Sequence, residues 1–130
     1  MAIGNTILRR FSFCTREVKL ALFRSYCYSI YCNSLWARHR VASLNRLRVC
    51  HNDILKRLLD IPRWYSSSET FVSNNIKSLD VIRRDSVNSL KLRVEQSCNS
   101  VVASVRQSSA FTQGIMRRTW LRLLMVHPAG

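Results

Sequence analysis

Residues 44–71, LNRLRVCHNDILKRLLDIPRWYSSSETF, hold a helix, a stop and a fresh helix start in one passage. Leu44, Leu47, His51, Ile54, Leu55 and Leu58 recur at helical spacing and draw one apolar arc. Arg46, Asp53, Lys56 and Arg57 fall on the other side, with Asp53 ahead of Lys56 and Arg57 at the i+3 and i+4 spacing that supports a helix. Ser43 stands where it can cap this helix. Pro62 lacks an amide donor and restricts Ile61, so the helix is expected to end near Asp60. Ser66 and Glu69 make a capping box for the next helix. The passage therefore reads as a basic amphipathic helical hairpin.

Outward from it, Ala2 to Arg10 predicts a short helix with Ile3, Ile7 and Leu8 on one side. Thr15 caps a second helix, whose Glu17 suits the positive end of the dipole. Val18, Leu22, Phe23, Tyr26, Ile30 and Trp36 carry that helix to about Arg38, over an arc broad enough to make it the central, most buried element. After the Pro62 break, Glu69 to Asn74 supply one or two turns. Ser78 then caps a longer helix bearing Leu79, Ile82, Leu90 and Val94. The pattern weakens at Cys98-Asn99-Ser100, and Gln107-Ser108-Ser109 reads as a linker. The tail from Phe111 to Val126, with Ile115, Met116, Trp120, Leu121, Leu124 and Met125, predicts a last helix. No internal repeat and no run of strands is visible. The expectation is an all-α, small irregular bundle of about four to six helices. Residues 1–106 would form its helical region and residues 107–130 a linker and helical tail.

At 130 residues the chain is one domain or part of one, and 47% apolar content argues against wholesale disorder. The formal net charge of +14 is the compositional outlier, and 17 of the 21 basic residues are Arg, which favours bidentate contact with phosphate. The excess is +8 over residues 1–60 and +6 over residues 61–130, a distributed property and not a basic tail. Such a field attracts polyanions, nucleic acid first and anionic membrane second. The five cysteines form no repeating framework, so free thiols in a reducing, intracellular compartment, nuclear or cytoplasmic, are expected. Arg9 and Arg10 interrupt any secretory apolar run. Ser25 to Ala37, the longest uncharged stretch, is too short and too polar to span a bilayer. MAIGNTILRRFSF carries Arg without acids and would suit a mitochondrial presequence, an alternative to a nuclear or cytoplasmic place.

Cys27, Cys32, His39, Cys50 and His51 cluster in sequence without a tight pair on a turn. Cys27 and Cys32, five apart on one predicted helix, point about 140° away from each other. Half-buried thiols and a core or groove histidine fit better than a metal site. Asp80 and Asp85 diverge in the same way, and Gly4, Gly114 and Gly130 stand too far apart for a phosphate loop. Neither a cofactor, a metal, a catalytic residue nor a small-molecule substrate is implied.

The wording adds a resemblance. L-x-x-L-R-V-x-x-N from Leu44, L-L-x-I-P-R from Leu58 and S-S-S-x-x-F from Ser66 follow an upstream run, F-S-x-C-T-x-x-V-K-x-x-L-F-x-S-Y-C, from Phe11 to Cys27. In this order they resemble the region after the polymerase core of non-LTR retrotransposon reverse transcriptases, the chicken-repeat and jockey-like elements of animals. The likeness covers about residues 5–85, more weakly to about residue 126. The aromatic-Ala-Asp-Asp turn of the family's palm, its endonuclease and its Cys-Cys-His-Cys knuckle do not occur, so none of the family's catalytic residues has a counterpart here. The resemblance implies thumb and post-thumb helices that hold template and primer through the sugar–phosphate backbone of RNA or DNA. Arg46, Lys56, Arg57 and Arg63 would supply the contacts, with Arg83, Arg84 and Lys91 next. Trp64 and Tyr65 would either stack on a base or sugar or plug the gap between helices. The competing expectation is a basic helical protein-interaction module, self-associating through apolar surface that the missing palm leaves uncovered.

Overall fold

The computed structural model of the chain describes residues 2–28, 33–36 and 40–125. Ile30, Cys32, Arg38, His39 and Val126, which enter the expectations above, lie outside the described residues. Within them the fold is all-α, without a strand: α1 (Ala2–Arg10), α2 (Arg16–Cys27), a 3₁₀ turn (Asn33–Leu35), α3 (Val41–Leu58), α4 (Ser67–Ser73), α5 (Leu79–Gln96), α6 (Ser100–Gln107), α7 (Ser109–Thr112) and α8 (Ile115–Met125). There are more segments than the pattern predicts because polar side chains start new helices where the apolar pattern only weakens. The Asn99 carboxamide oxygen accepts from the amides of Val101 and Val102, at 2.9 and 3.3 Å, and opens α6. Ser108 closes α6 and caps α7, its hydroxyl accepting from Phe111 N at 3.3 Å. Gln107-Ser108-Ser109 is thus a helix junction and not a linker. The chain divides into two compact units, one of Met1–Tyr31 and Arg40–Leu79, the other of Cys32–His39 and Asp80–Gly130. That division falls at the start of α5.

In the first unit α1 packs on α2 and α3. Ile7, Phe23, Leu55, Leu58, Phe71 and Ile76 are the buried core, with Leu8, Phe11, Leu20, Leu22 and Ile54 packed around them. Burying a side chain such as Phe23, fully covered here, contributes about 1.5–3 kcal/mol. Gly4 sets the approach of α1 to α3: a Cβ there would lie 2.8 Å from Ile54 Cδ1.

The helix expected to run to Arg38 stops at Cys27, where Tyr28 takes the cap position and its hydroxyl accepts from Lys77 N at 2.6 Å. Val18 and Tyr26 are exposed. α2 buries only Phe23, whereas α3 covers His51, Leu55, Lys56 and Leu58, so α2 is not the most buried helix. Ser43 does not cap α3; its own amide already bonds the Arg40 carbonyl at 3.0 Å, inside the first turn.

Two helix ends in this unit share one design. After α3, Ile61 N bonds Lys56 O at 2.8 Å and Asp60 N bonds Arg57 O at 3.3 Å, with Asp60 left-handed at φ 55°. After α4, Ile76 N bonds Phe71 O at 2.9 Å and Asn75 N bonds Val72 O at 3.1 Å, with Asn75 at φ 51°. Both are Schellman closures with Asp or Asn in place of the usual glycine. Ser66 accepts from Glu69 N as the capping box predicts.

In the second unit Trp120 is buried, donates its indole N–H to Ser34 O at 2.6 Å and lies edge-on to Phe111. Arg106 donates to Val94 O at 3.2 Å and to Glu95 O, satisfying carbonyls at the end of α5. Neither α6 nor α7 buries a residue.

Candidate nucleic-acid interface

On α3, Arg46 and Arg57 are eleven residues apart, three turns, and so share one face at a spacing of about 16 Å along the axis. Both are exposed, and neither meets a carboxylate or carbonyl among the described residues. Asp53 lies between them on that face, and Arg63 from the following turn closes on it at 2.7 Å, with three quarters of the Arg63 side chain still exposed.

Lys56 is not on this face. It is 6% exposed, and its ammonium donates to Arg63 O at 3.0 Å and to Tyr65 O at 2.6 Å. A buried ammonium needs such acceptors, so Lys56 holds the turn after α3 and is corrected from phosphate ligand to structural clamp. Its place in the last turn of a helix that a proline is about to end was the available signal, since cations there commonly serve free carbonyls. Trp64, between the two clamped carbonyls, is 84% exposed and does not plug a gap between helices. Tyr65 contacts it edge-on, and a hydrogen bond from Tyr65 to Glu69, reinforced by the carboxylate's charge, raises the phenol above its ordinary pKa.

In the second unit Arg83 is buried, so it too leaves the exposed set. Arg84 is half-buried, and Lys91 is half-buried and paired with Glu95 at 2.9 Å, one helical turn on. The resemblance implied backbone contacts for all three, but α5 buries on more than one side, Ile82, Arg83 and Val87 together.

Other cations of the first unit are spent on structure. Arg16 donates to the Asn74 carboxamide oxygen at 3.0 Å, and Arg24 reaches the carbonyls of Asn74 and Asn75 at 3.3 and 3.2 Å, completing the C-terminal end of α4. Arg9, Arg10 and Arg40, not among the contacts expected from sequence, are exposed. An apolar cavity of about 430 Å³ opens beside α1 and α2, lined by Ile3, Ile7, Phe11 and Leu22, with Arg10 beside them.

His51 is 4% exposed, 5.1 Å from Phe23 and stacked 6.2 Å from Phe71 by ring centroids, and among the described residues neither ring nitrogen has a hydrogen-bond partner. Desolvation lowers its pKa to about 4. Burial pushes the Cys27 thiol up, away from the reactive thiolate. Among the described residues no three His, Cys, Asp or Glu side chains gather as metal ligands would. No described helix is long and apolar enough to cross a membrane. No family model, curated protein or solved structure matches the chain.

Proposed function

We propose that the chain is a non-catalytic fragment of a non-LTR retrotransposon RNA-directed DNA polymerase, and that its biochemical activity is sequence-independent binding of an RNA or DNA backbone. The wording of residues 11–27 and 44–71 carries the ancestry. The observation that carries the activity is the pair Arg46 and Arg57, exposed on one face of α3 without partners among the described residues, in a chain of net charge +14. Exposed guanidiniums on a rigid helix contact phosphates without reading bases. Arg63 and Arg84 extend this set within their own units, whereas Lys56, Arg83 and Lys91 contribute less because their heads are buried or paired.

Filter binding of the full chain between about 50 and 200 mM salt tests it. Affinity should fall steeply with salt and differ little between sequences. Replacing Arg46 and Arg57 together by Gln should reduce the logarithmic salt slope by roughly 2. Salt-independent tight binding, or no binding at low salt, would refute the proposal.

A second reading, a basic protein-interaction module, is favoured by the apolar cavity beside α1 and α2 and by Val101 and Val105, both exposed and one turn apart on α6. Light scattering separates them: a discrete oligomer that does not bind polyanions supports this second reading.

A further inference from the structure

The turn after α3 is clamped at every residue but one. Tyr65 N bonds Pro62 O at 3.1 Å, closing a turn over Pro62–Tyr65. The Lys56 ammonium bonds the carbonyls of Arg63 and Tyr65, one on each side of Trp64. The Arg63 side chain is held by Asp53. The Trp64 indole projects, 84% exposed, with the Tyr65 ring edge-on beside it. A folded chain gains nothing in stability from fixing a large apolar ring in water, because the burial that normally offsets side-chain ordering is missing. The clamp does lower the cost of ordering that ring when a partner covers it.

We infer that Trp64 is a preorganised stacking platform for an unpaired base, giving the chain a preference for single-stranded over duplex nucleic acid. The inference rests on the nucleic-acid reading above and deepens it. The occupant follows from chemistry. A flat indole flanked in sequence by Arg63 and set in a chain with a large positive excess suits a planar aromatic carried on an anionic backbone. In a duplex the bases already stack on one another, and the ring finds no free π-face. Lys56 is a positioning residue: it touches no base but fixes the backbone on either side of the one that does.

Titration of the full chain with one labelled oligonucleotide, single-stranded or annealed to its complement, at low salt tests this. The unchanged chain should bind the single strand more tightly. Trp64→Ala should weaken single-strand binding roughly fivefold to a hundredfold, the worth of one stacked base, and leave duplex affinity within about twofold. Trp64→Phe should recover much of the loss. Lys56→Met, at unchanged helix content, should reduce the single-strand preference while duplex binding persists. If Trp64→Ala weakens neither form, or both equally, the platform is refuted and backbone binding stands. If Lys56→Met weakens both forms alike, Lys56 is structural only and the clamp is refuted. If neither form binds the unchanged chain, the proposed function itself falls and this inference with it.

Discussion

The first unit is held around one apolar cluster, whereas in the second, beside the buried Ile82 and Val87 of α5 and Trp120, the described hydrogen bonds concentrate at helix ends. In the first, α1 to α4 bring Ile7, Phe23, Leu55, Leu58, Phe71 and Ile76 into one cluster, and even its polar helix ends feed that cluster, as Ile76 does after the Asn75 turn. In the second, α6 and α7 bury nothing and stand on Asn99, Arg106 and Ser108. The contrast shows two ways for a basic sequence to make helices. Where apolar residues recur at helical spacing, packing sets the structure and the charges are displaced to the outer face. Where they do not, short polar side chains at junctions decide where each helix begins.

The sharpest way to break that comparison is to remove a ring from the first unit and a methyl-bearing side chain from the second. Phe23→Ala should cost about 3–5 kcal/mol, since it empties a fully buried position. Val101→Ala, at a residue 69% exposed, should stay within about 0.5 kcal/mol. Denaturant unfolding followed by helical circular dichroism measures both. Similar costs would mean that the first unit's core is not what holds it.

The next effect belongs to His51, and it is a pH dependence. The neutral ring sits between Phe23 and Phe71, and protonating it there would place an unpaired charge in the core. The folded pKa of about 4 lies below the ordinary 6.5, so the unfolded chain binds the extra proton between those values. The stability from keeping His51 neutral is therefore fully present above pH 6.5, declines as pH falls, and is gone below about pH 4. The span corresponds to about 3 kcal/mol. His51→Leu should flatten this slope and cost little at neutral pH, because it removes two unpartnered polar atoms together with the ring. An unchanged slope in the variant would assign the acid sensitivity to other groups.

Much of the first unit was legible in residues 44–71 because its signals are local. The arc of α3, the stop before Pro62 and the Ser66 cap each involve residues within one or two helical turns. The length of α2 was not legible, since its end is tied to a bond between Tyr28 and Lys77, 49 residues away. The interface was legible in part. Arg46 and Arg57 lie on the exposed side that the pattern assigns them, and Arg63, named from the resemblance, is exposed as well. Lys56 does not, because its acceptors are carbonyls freed by the turn that follows, and a charge pattern carries no sign of them. Trp64 was undecided between stacking and filling a gap; only its exposure separates the two.

The smallest effects sharpen the comparison at the helix ends. Asn99→Ala removes the acceptor of two α6 amides and should cost about 1 kcal/mol, because the exposed helix has no core to hold it. Asn75→Gly should act in the opposite direction. The residue is left-handed at φ 51°, a conformation that costs most L-residues about 1–2 kcal/mol and Asn less. Glycine removes that strain but gives the unfolded chain more freedom, which takes back about 0.4–1 kcal/mol. A net gain of a few tenths of a kcal/mol is expected. Asn75 is the better site for this than Asp60, whose carboxylate lies 3.7 Å from the Lys19 ammonium and would be lost with the side chain. The backbone carbonyl of Asn75 that Arg24 holds survives the substitution. Loss of stability in Asn75→Gly, measured beside Asn99→Ala in the same urea titration, would mean that side chains govern helix ends in both units, and the distinction between them would then rest on the core alone.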